Sequence, residues 1–219
     1  AAESDADATH NEVAGIRLSA ARGSRQISSF CMGLDGNLLA CEPMAKAVHV
    51  VGPDGKAVAK WTLPLSPEAA CVHSDGTVFV GGKGELARLD KKGKVVKSAK
   101  CSVSGPNEGG VSAIATSGND LFVALRVGFG FSVYRFGLDL GQPTEIVKGL
   151  RGCCGQMHIV AKDGVVYAAE NARKRVVSFD RDGKELAAWG KDSREDLDGF
   201  GSCCNPMNLC FGPGGELYT

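Results

Sequence analysis

The sequence has no apolar run of the length that a membrane-spanning helix needs, and it carries no net charge. Its 219 residues include 25 Lys and Arg and 25 Asp and Glu, whereas a membrane span needs about 20 predominantly apolar residues in a row. The charge balance excludes the basic surface that is typical of general nucleic-acid binders. The lysine-rich stretch at 90–100 is interpreted as a solvated turn and edge strand. We therefore expect no nucleic-acid partner and no membrane span.

Residues that assemble common catalytic sites are also scarce. There are four histidines, and two of them, His49 and His73, fall on predicted strands, where a lone histidine is usually a structural residue. The glycine-rich stretches at 81–85 and 128–131 are not followed by a helix, so they lack the context of a phosphate-binding loop. The acidic loop at 193–201 lacks the alternating spacing of a calcium loop. No catalytic residue is predicted from these motifs.

Glycine and cysteine, by contrast, are plentiful, with 30 and 9 residues. The glycines favour a turn-rich β protein. Nine cysteines are too many for a cytosolic domain that makes no use of them, and an odd number leaves at least one thiol outside any set of internal disulfides. The chain begins with Ala, and its first segment, 1–12, is predicted to be a disordered lead. We interpret this start as a mature end left by signal cleavage, with an artificial boundary as the alternative, and expect an extracytoplasmic location, periplasmic or secreted.

One pattern recurs along the chain: an apolar strand, a glycine turn and a second apolar strand. Asp-Gly between alternating apolar residues is a strong hairpin signal. In three units a second hairpin follows, with its turn glycine 19, 17 and 19 residues after the first. Each unit is therefore predicted to be a four-stranded antiparallel meander, which is the make-up of one propeller blade. The first hairpins lie at 30–40, 70–80, 114–124 and 159–169, and the pattern begins again at 209–219.

The segment FGSCCNPMNLCFGPGGELYT at 200–219, which follows DGKELAAWG at 182–190, resembles the NHL-repeat pattern. That pattern runs Gly, Phe, Pro, an apolar strand, a Gly turn and Leu-Tyr, and the resemblance covers about 27–219. It implies an all-β fold, a β-propeller of four-stranded antiparallel blades, usually six in this family, with a ligand or partner surface around the central channel. About four and a half blades are visible. We therefore predict one NHL-like domain over 13–219 that is incomplete at its C-terminus, because the natural chain continues past Thr219 or is one fragment of a processed protein.

The resemblance assigns no functional residue, because paired cysteines are not part of the general NHL pattern. Some NHL propellers are metal-dependent lyases, but the histidine ligands that such a site needs are not visible in this sequence. Whether the chain is an enzyme is therefore left open. An oxidoreductase-associated metalloprotein is the form of enzyme that the cysteines suggest.

Three cysteines occupy equivalent positions in the repeat. Cys31, Cys71 and Cys210 each lie five residues before the glycine of the first turn. This position is on the innermost strand of a blade. We predict that the three side chains are small buried hydrophobic groups rather than ligands.

Two segments, GCCGQMHIV at 152–160 and SCCNPMNLC at 202–210, repeat a cysteine pair that is followed by Met and a polar residue. The copies are 50 residues apart, and each precedes a predicted innermost strand, in the connection between two blades. Such connections gather at one mouth of the central channel, so the two copies are predicted to be neighbours in space. The predicted metal ligands are Cys101, Cys153, Cys154, Cys203 and Cys204, and the predicted further cofactor-binding residues are Met157, His158, Met207 and Asn208.

Sulfur donors in this number favour a soft transition metal centre over Mg or Ca. An iron–sulfur cluster is preferred, copper follows closely, and zinc is a further candidate. Adjacent cysteines point to opposite faces of an extended strand, so both reach one centre only where the backbone turns. The alternative is that the pairs form disulfides between blades, although disulfides give no reason for the matched Met and His residues.

The sequence thus predicts an exported metal- or iron–sulfur-binding propeller with a Cys/Met/His site at the channel mouth. It is predicted to act in electron transfer, or in the handling of a metal or a redox substrate, and to have a redox partner protein. The alternative is a non-catalytic propeller that binds a protein or a glycan and is braced by disulfides. The fold alone does not separate these functions, because propellers host many unrelated ones.

Overall fold

The computed structural model describes residues 27–101, 109–153 and 156–219. The predicted lead at 1–12 and the predicted ligand Cys154 lie outside these ranges. Within them, the helical structure is a single 3₁₀ turn, Asn171–Arg173, and no helix has the length and apolar character of a membrane span.

The described strands form four four-stranded antiparallel sheets and one two-stranded sheet. Blade 1 contains β1 (Ser29–Met32), β2 (Leu38–Glu42), β3 (Ala47–Val51) and β4 (Ala57–Thr62). Blade 2 contains β5 (Ala69–Val72), β6 (Val78–Gly82), β7 (Glu85–Leu89) and β8 (Val95–Lys100). Blade 3 contains β9 (Val111–Ser117), β10 (Asp120–Val127), β11 (Gly130–Gly137) and β12 (Thr144–Leu150). Blade 4 contains β13 (His158–Lys162), β14 (Val165–Glu170), β15 (Arg175–Phe179) and β16 (Glu185–Trp189), and the fifth unit contains β17 (Cys210–Phe211) and β18 (Leu217–Tyr218).

The blades are arranged radially. Strand order within each blade follows the chain, and the first strands of successive blades, β1, β5, β9 and β13, contact one another in turn. The last strands β4, β8 and β16 are largely exposed and form outer edges. This is the β-propeller of four-stranded antiparallel blades that the sequence predicts.

The hairpin turns differ in geometry, as two of them illustrate. Between β13 and β14, Asp163 and Gly164 both have positive φ, 52° and 78°, as a two-residue turn requires. Between β1 and β2 only the glycine, Gly36, has a positive φ, 78°. There the side chain of Asp35 accepts a hydrogen bond from the backbone NH of Asn37 at 3.1 Å. The aspartate of the Asp-Gly pair thus stabilises a longer turn by its side chain rather than by its own backbone conformation.

The core consists of apolar layers between neighbouring blades. Phe79 and Phe136 are buried between blades 2 and 3, and Phe122 is buried between blades 3 and 4. Burying a side chain of this size stabilises the folded state by roughly 1.5–3 kcal/mol. Because consecutive blades share each layer, the first strand of every blade, and the loop that enters it, is held at a fixed place beside its neighbours.

The cysteines of the innermost strands differ from the prediction. Cys210 is exposed and Cys31 and Cys71 are half-buried, whereas Cys41 on β2 is fully buried. Burial by its neighbours still raises the pKa of the Cys31 thiol to about 12. The prediction of a buried side chain is wrong for Cys210, which is exposed at the central cavity and is not packed against an apolar cluster as Cys31 is.

Candidate metal centre

Two loops bring three cysteine sulfurs together. Cys153 lies between β12 and β13, and Cys203 and Cys204 lie between β16 and β17. The Sγ atoms are 3.2 Å apart for Cys153 and Cys204, 3.5 Å for Cys203 and Cys204, and 3.7 Å for Cys153 and Cys203. We call this group, Cys153, Cys203 and Cys204, the thiol triangle.

The dimensions of the thiol triangle suit one metal ion. Its edges, 3.2 to 3.7 Å, are well above the disulfide bond length of about 2.05 Å, so no disulfide joins two of these three sulfurs. A centre placed about 2.3 Å from each sulfur, the usual zinc–thiolate distance, would lie about 1.1 Å above the plane of the three sulfurs. All three sulfurs can therefore bind a single ion with little movement.

The backbone of Cys204 explains how two consecutive cysteines face the same way. Successive side chains of an extended strand point to opposite sides, but Cys204 has a left-handed conformation with φ 66°. A non-glycine residue in this region costs roughly 1 kcal/mol or more, and such strain concentrates at functional sites. The turn directs both sulfurs toward Cys153.

The loop of Cys153 is held by Asn171, which is buried in the 3₁₀ turn. The Asn171 side-chain oxygen accepts a hydrogen bond from the Cys153 NH at 2.6 Å, and its NH₂ group donates to the Gln156 carbonyl at 3.3 Å. The loop also closes on itself, because the Gln156 NH donates to the Cys153 carbonyl at 3.2 Å. One side chain thus fixes the loop on both sides of the two residues that the structure leaves undescribed.

A buried carboxylate supports the same turn. Glu170 is fully buried and accepts hydrogen bonds from Arg173 Nη1 at 2.7 Å and Arg175 Nε at 2.6 Å. It also accepts the backbone NH of Arg151 at 3.0 Å, at the start of the Cys153 loop. Two guanidinium groups and one amide satisfy its charge and its hydrogen-bonding capacity, so the anchor is rigid.

The loop of Cys203 and Cys204 is attached to the same turn from the other side. Lys174, which ends the 3₁₀ turn with φ 54°, donates from its ammonium group to the Ser202 carbonyl. Arg194 Nε donates to the Gly201 carbonyl at 2.9 Å. The 3₁₀ turn and the residue after it therefore hold both cysteine loops, and they set the distance between them.

Met157 and His158 lie outside the thiol triangle. Met157 is buried in the apolar layer between blades 3 and 4. His158 accepts a hydrogen bond at Nδ1 from the Leu209 NH at 3.1 Å, so its proton is on Nε2. Burial lowers the pKa of His158 to about 4, and the ring is neutral at physiological pH. No described His, Asp or Glu brings a donor atom into the sulfur group.

The remaining predicted residues are separated from the triangle in different ways. Met207 and Asn208 are exposed and line the central cavity. Cys101 is buried in the apolar layer between blades 2 and 3, its NH donates to the Gly84 carbonyl at 2.6 Å, and burial raises the pKa of its thiol to about 12. The structure does not bring Cys101 to the triangle, because the apolar layer encloses it. Cys154 lies outside the described residues.

The sequence does not single out the residues that position the site. Glu170, Asn171 and Lys174 look like an ordinary polar turn after a buried strand. The turn at this place has four residues in blade 4, NARK at 171–174, and two in blade 2, Lys83–Gly84, but blade 1 also has four, PMAK at 43–46. Turn length therefore does not mark blade 4 as the one that positions a site.

A cavity of about 930 Å³ lies among the innermost strands. Its lining includes Phe30 and Met32 of β1, which are 69% and 58% exposed, and Tyr218, which is 55% exposed. Polar groups, among them Glu68 and His158, face it as well. Apolar walls with few polar groups are typical of small-molecule sites.

Comparisons with known proteins support the fold. No protein-family profile and no curated protein sequence matches the chain. Among solved structures, a streptogramin B lyase has a TM-score of 0.66 at 16% identity, over 88% of this chain and 61% of that one. A catalytically inactive virginiamycin B lyase from Staphylococcus aureus, solved with quinupristin, has a TM-score of 0.65 at 15% identity, over 91% and 64%. The hydrazine synthase of Kuenenia stuttgartiensis has a TM-score of 0.63 at 15% identity, over 92% and 57%.

At these identities the similarity shows the fold alone. The chain spans about three-fifths of the length of these three structures. The β-propeller fold is confirmed, whereas membership of the NHL-repeat family stays a prediction.

Proposed function

We propose that this propeller binds one thiophilic metal ion through Cys153, Cys203 and Cys204. The observation that carries the proposal is the thiol triangle, with edges of 3.2, 3.5 and 3.7 Å. Thiolates select soft or borderline ions such as Cu(I) and Zn(II). Their attachment to a common turn keeps the three donors together before an ion arrives, which reduces the cost of ordering them on binding.

The exposure of the triangle favours exchange of the ion over permanent burial. Cys203 is exposed, and Cys153 and Cys204 are half-buried. Structural zinc sites are closed by four protein ligands, whereas sites with three protein ligands leave a position open. A site with three sulfurs at the surface suits a protein that takes up, passes on or uses its ion, and this is the metal-handling role that the sequence predicts.

The short edges of the thiol triangle favour a single ion over an iron–sulfur cluster, which is the cofactor that the sequence favours. The thiolates of a cluster are divided among two or more iron atoms, so they are spread around it, whereas the three sulfurs here converge on one point. Electron transfer with a redox partner, and an extracytoplasmic location, remain parts of the proposal that rest on the sequence.

Metal titration of the reduced chain under anaerobic conditions tests the proposal. We expect one Cu(I) or Zn(II) per chain by elemental analysis after desalting, and loss of that ion in the Cys203→Ser/Cys204→Ser variant. Cys210→Ser removes an exposed cysteine outside the triangle and is the matched control, which should keep its ion. A reduced parent chain that retains no thiophilic ion would refute the proposal.

The central cavity supports a second candidate, non-catalytic binding of a glycan or protein segment. The exposed rings of Phe30 and Tyr218 at a cavity of about 930 Å³ offer stacking surfaces for such a ligand. Calorimetric titration with a panel of oligosaccharides and peptides tests it, with Phe30→Ser expected to abolish any binding found. A ligand that binds the parent and Phe30→Ser equally would exclude the cavity as its site.

A further inference from the structure

We infer that the ligand of the thiol triangle is a trivalent metalloid of the arsenite type, bound through three sulfurs as a pyramidal tris-thiolate. This inference rests on the proposed function, because it names the ligand of the same three-sulfur site.

The edges of the triangle are the first reason. A tetrahedral ion with bonds of about 2.3 Å holds its sulfurs about 3.8 Å apart, and a planar three-coordinate ion with the same bonds holds them about 4.0 Å apart. The observed edges of 3.2, 3.5 and 3.7 Å are shorter than both. The triangle therefore suits a centre that prefers narrower angles between its bonds to sulfur.

The angles point to an ion with a lone pair. With bonds of about 2.3 Å, the triangle corresponds to S–ion–S angles of about 88°, 99° and 107°. Trivalent arsenic and antimony bond through three p orbitals that are nearly perpendicular, so their angles lie between a right angle and the tetrahedral value. Their lone pair occupies the fourth position, and three sulfurs complete their coordination.

The donor set is the second reason. Among the described residues, the group of potential metal ligands consists of three cysteines, and no His, Asp or Glu belongs to it. An all-sulfur set suits a strongly thiophilic p-block ion, whereas zinc bound by three protein ligands takes a water molecule as its fourth. Cys203 is exposed, so a small neutral hydroxide such as As(OH)₃ reaches the site from solvent.

The binding step balances without electron transfer. Each thiol forms one As–S bond as one As–O bond breaks, and the thiol proton leaves with the hydroxide as water. Three exchanges convert As(OH)₃ and three thiols into one As(S-Cys)₃ group and three water molecules. Arsenic remains trivalent throughout, so neither an oxidant nor a reductant takes part.

Anaerobic titration of the reduced 219-residue chain with sodium arsenite tests the inference. We expect one arsenic per chain, and X-ray absorption that shows three sulfur neighbours and no oxygen. Cys153→Ser, Cys203→Ser and Cys204→Ser should each weaken arsenite binding by at least about 100-fold, because even a lost supporting residue costs 10–100-fold at metal sites. Cys210→Ser should bind arsenite as the parent does.

Phenylarsine oxide separates three-thiol binding from two-thiol binding. It reacts with two thiols and releases one water, and its phenyl group blocks the third position. Cys153→Ser keeps Cys203 and Cys204, whose sulfurs are 3.5 Å apart, so this variant should retain phenylarsine oxide while it loses arsenite. Equal retention of both arsenicals by Cys153→Ser would overturn the inference.

Competition with metal ions separates the inference from the proposed function. If Zn(II) or Cu(I) occupies the triangle and arsenite does not displace it, the inference fails and the proposed function stands. If neither arsenite nor a metal ion binds, both fail. A fourth sulfur neighbour in the X-ray absorption spectrum of the arsenic-bound chain would contradict three-coordinate binding.

Discussion

The side-chain oxygen of Asn171 accepts a hydrogen bond from the Cys153 NH at 2.6 Å. This contact joins the turn after β14 to a loop that enters the same blade. Because Lys174 of the same segment also binds the Ser202 carbonyl, the relative position of the two cysteine loops depends on a few consecutive residues. The three sulfurs of the thiol triangle are thus positioned by a turn that contains none of the three cysteines.

Asn171→Ala should weaken metal binding without removing a ligand. The variant loses both hydrogen bonds to the Cys153 loop, and loss of such supporting contacts typically costs 10–100-fold in metal affinity. Competition with a chromophoric chelator measures the change. The control Asn208→Ala removes an exposed amide that lines the cavity and should bind as the parent does; equal affinities of parent and Asn171→Ala would contradict the positioning role.

Glu170→Gln should destabilise the fold by about 3 kcal/mol, because it leaves two arginines beside a buried neutral amide. The free energy of unfolding, measured with urea, checks this. Glu185→Gln is the matched control: its carboxylate is half-exposed and lies 3.8 Å from Arg175, so its loss should cost less than about 0.5 kcal/mol. Equal stabilities of the two variants would show that the buried network contributes little.

Cys101→Ser should lower stability and leave metal binding unchanged. Cys101 is enclosed by an apolar layer, and a hydroxyl in its place costs about 1–3 kcal/mol when it lacks a partner. Cys203→Ser should have the opposite effect, with loss of the ion and little change in the stability of the metal-free chain. Thermal unfolding of both apo variants, with metal analysis of each, compares them; loss of the ion in Cys101→Ser would assign that thiol to the centre after all.

The neutral state of His158 predicts loss of stability in acid. Burial lowers its pKa from 6.5 to about 4, so the unfolded chain takes up the proton first. The contribution of neutral His158 to the free energy of unfolding is fully present above about pH 6.5. It is lost as the pH falls to about 4, and its upper limit is about 3 kcal/mol. Urea unfolding across this pH range measures it, and His158→Asn should flatten the slope. A parent whose stability does not change between these pH values would contradict the prediction.

The sequence predicts the blades and the meeting of the two cysteine loops because both depend on periodic patterns. Asp-Gly turns at regular distances define the strands, and the 50-residue spacing places equivalent loops on neighbouring blades. The same reasoning groups Cys101 with the site, since it too precedes an innermost strand. The periodic pattern predicts in which blade, and at which end of a strand, a cysteine lies. Side-chain packing decides whether its thiol faces the mouth of the central channel or an apolar layer.

The matched Met and His residues illustrate the same limit. Met157 is part of an apolar layer and His158 accepts a hydrogen bond from the Leu209 amide, whereas Met207 and Asn208 are exposed at the cavity. The repeated sequence therefore does not place the repeated side chains in the same surroundings. Asn171 was not predicted because its role depends on a loop distant in the chain. Contacts between separate turns leave no periodic trace in a single sequence.

The thiol triangle joins the residue that precedes blade 4 to the residues that follow it, because Cys153 and Cys203 are 50 positions apart and their sulfurs are 3.7 Å apart. An ion bound there would cross-link the two ends of blade 4. Closing a loop of this length removes freedom from the unfolded chain. Binding of an ion would therefore raise the force needed to unfold blade 4. Without the ion, blade 4 would be the first part of the described ring to unfold.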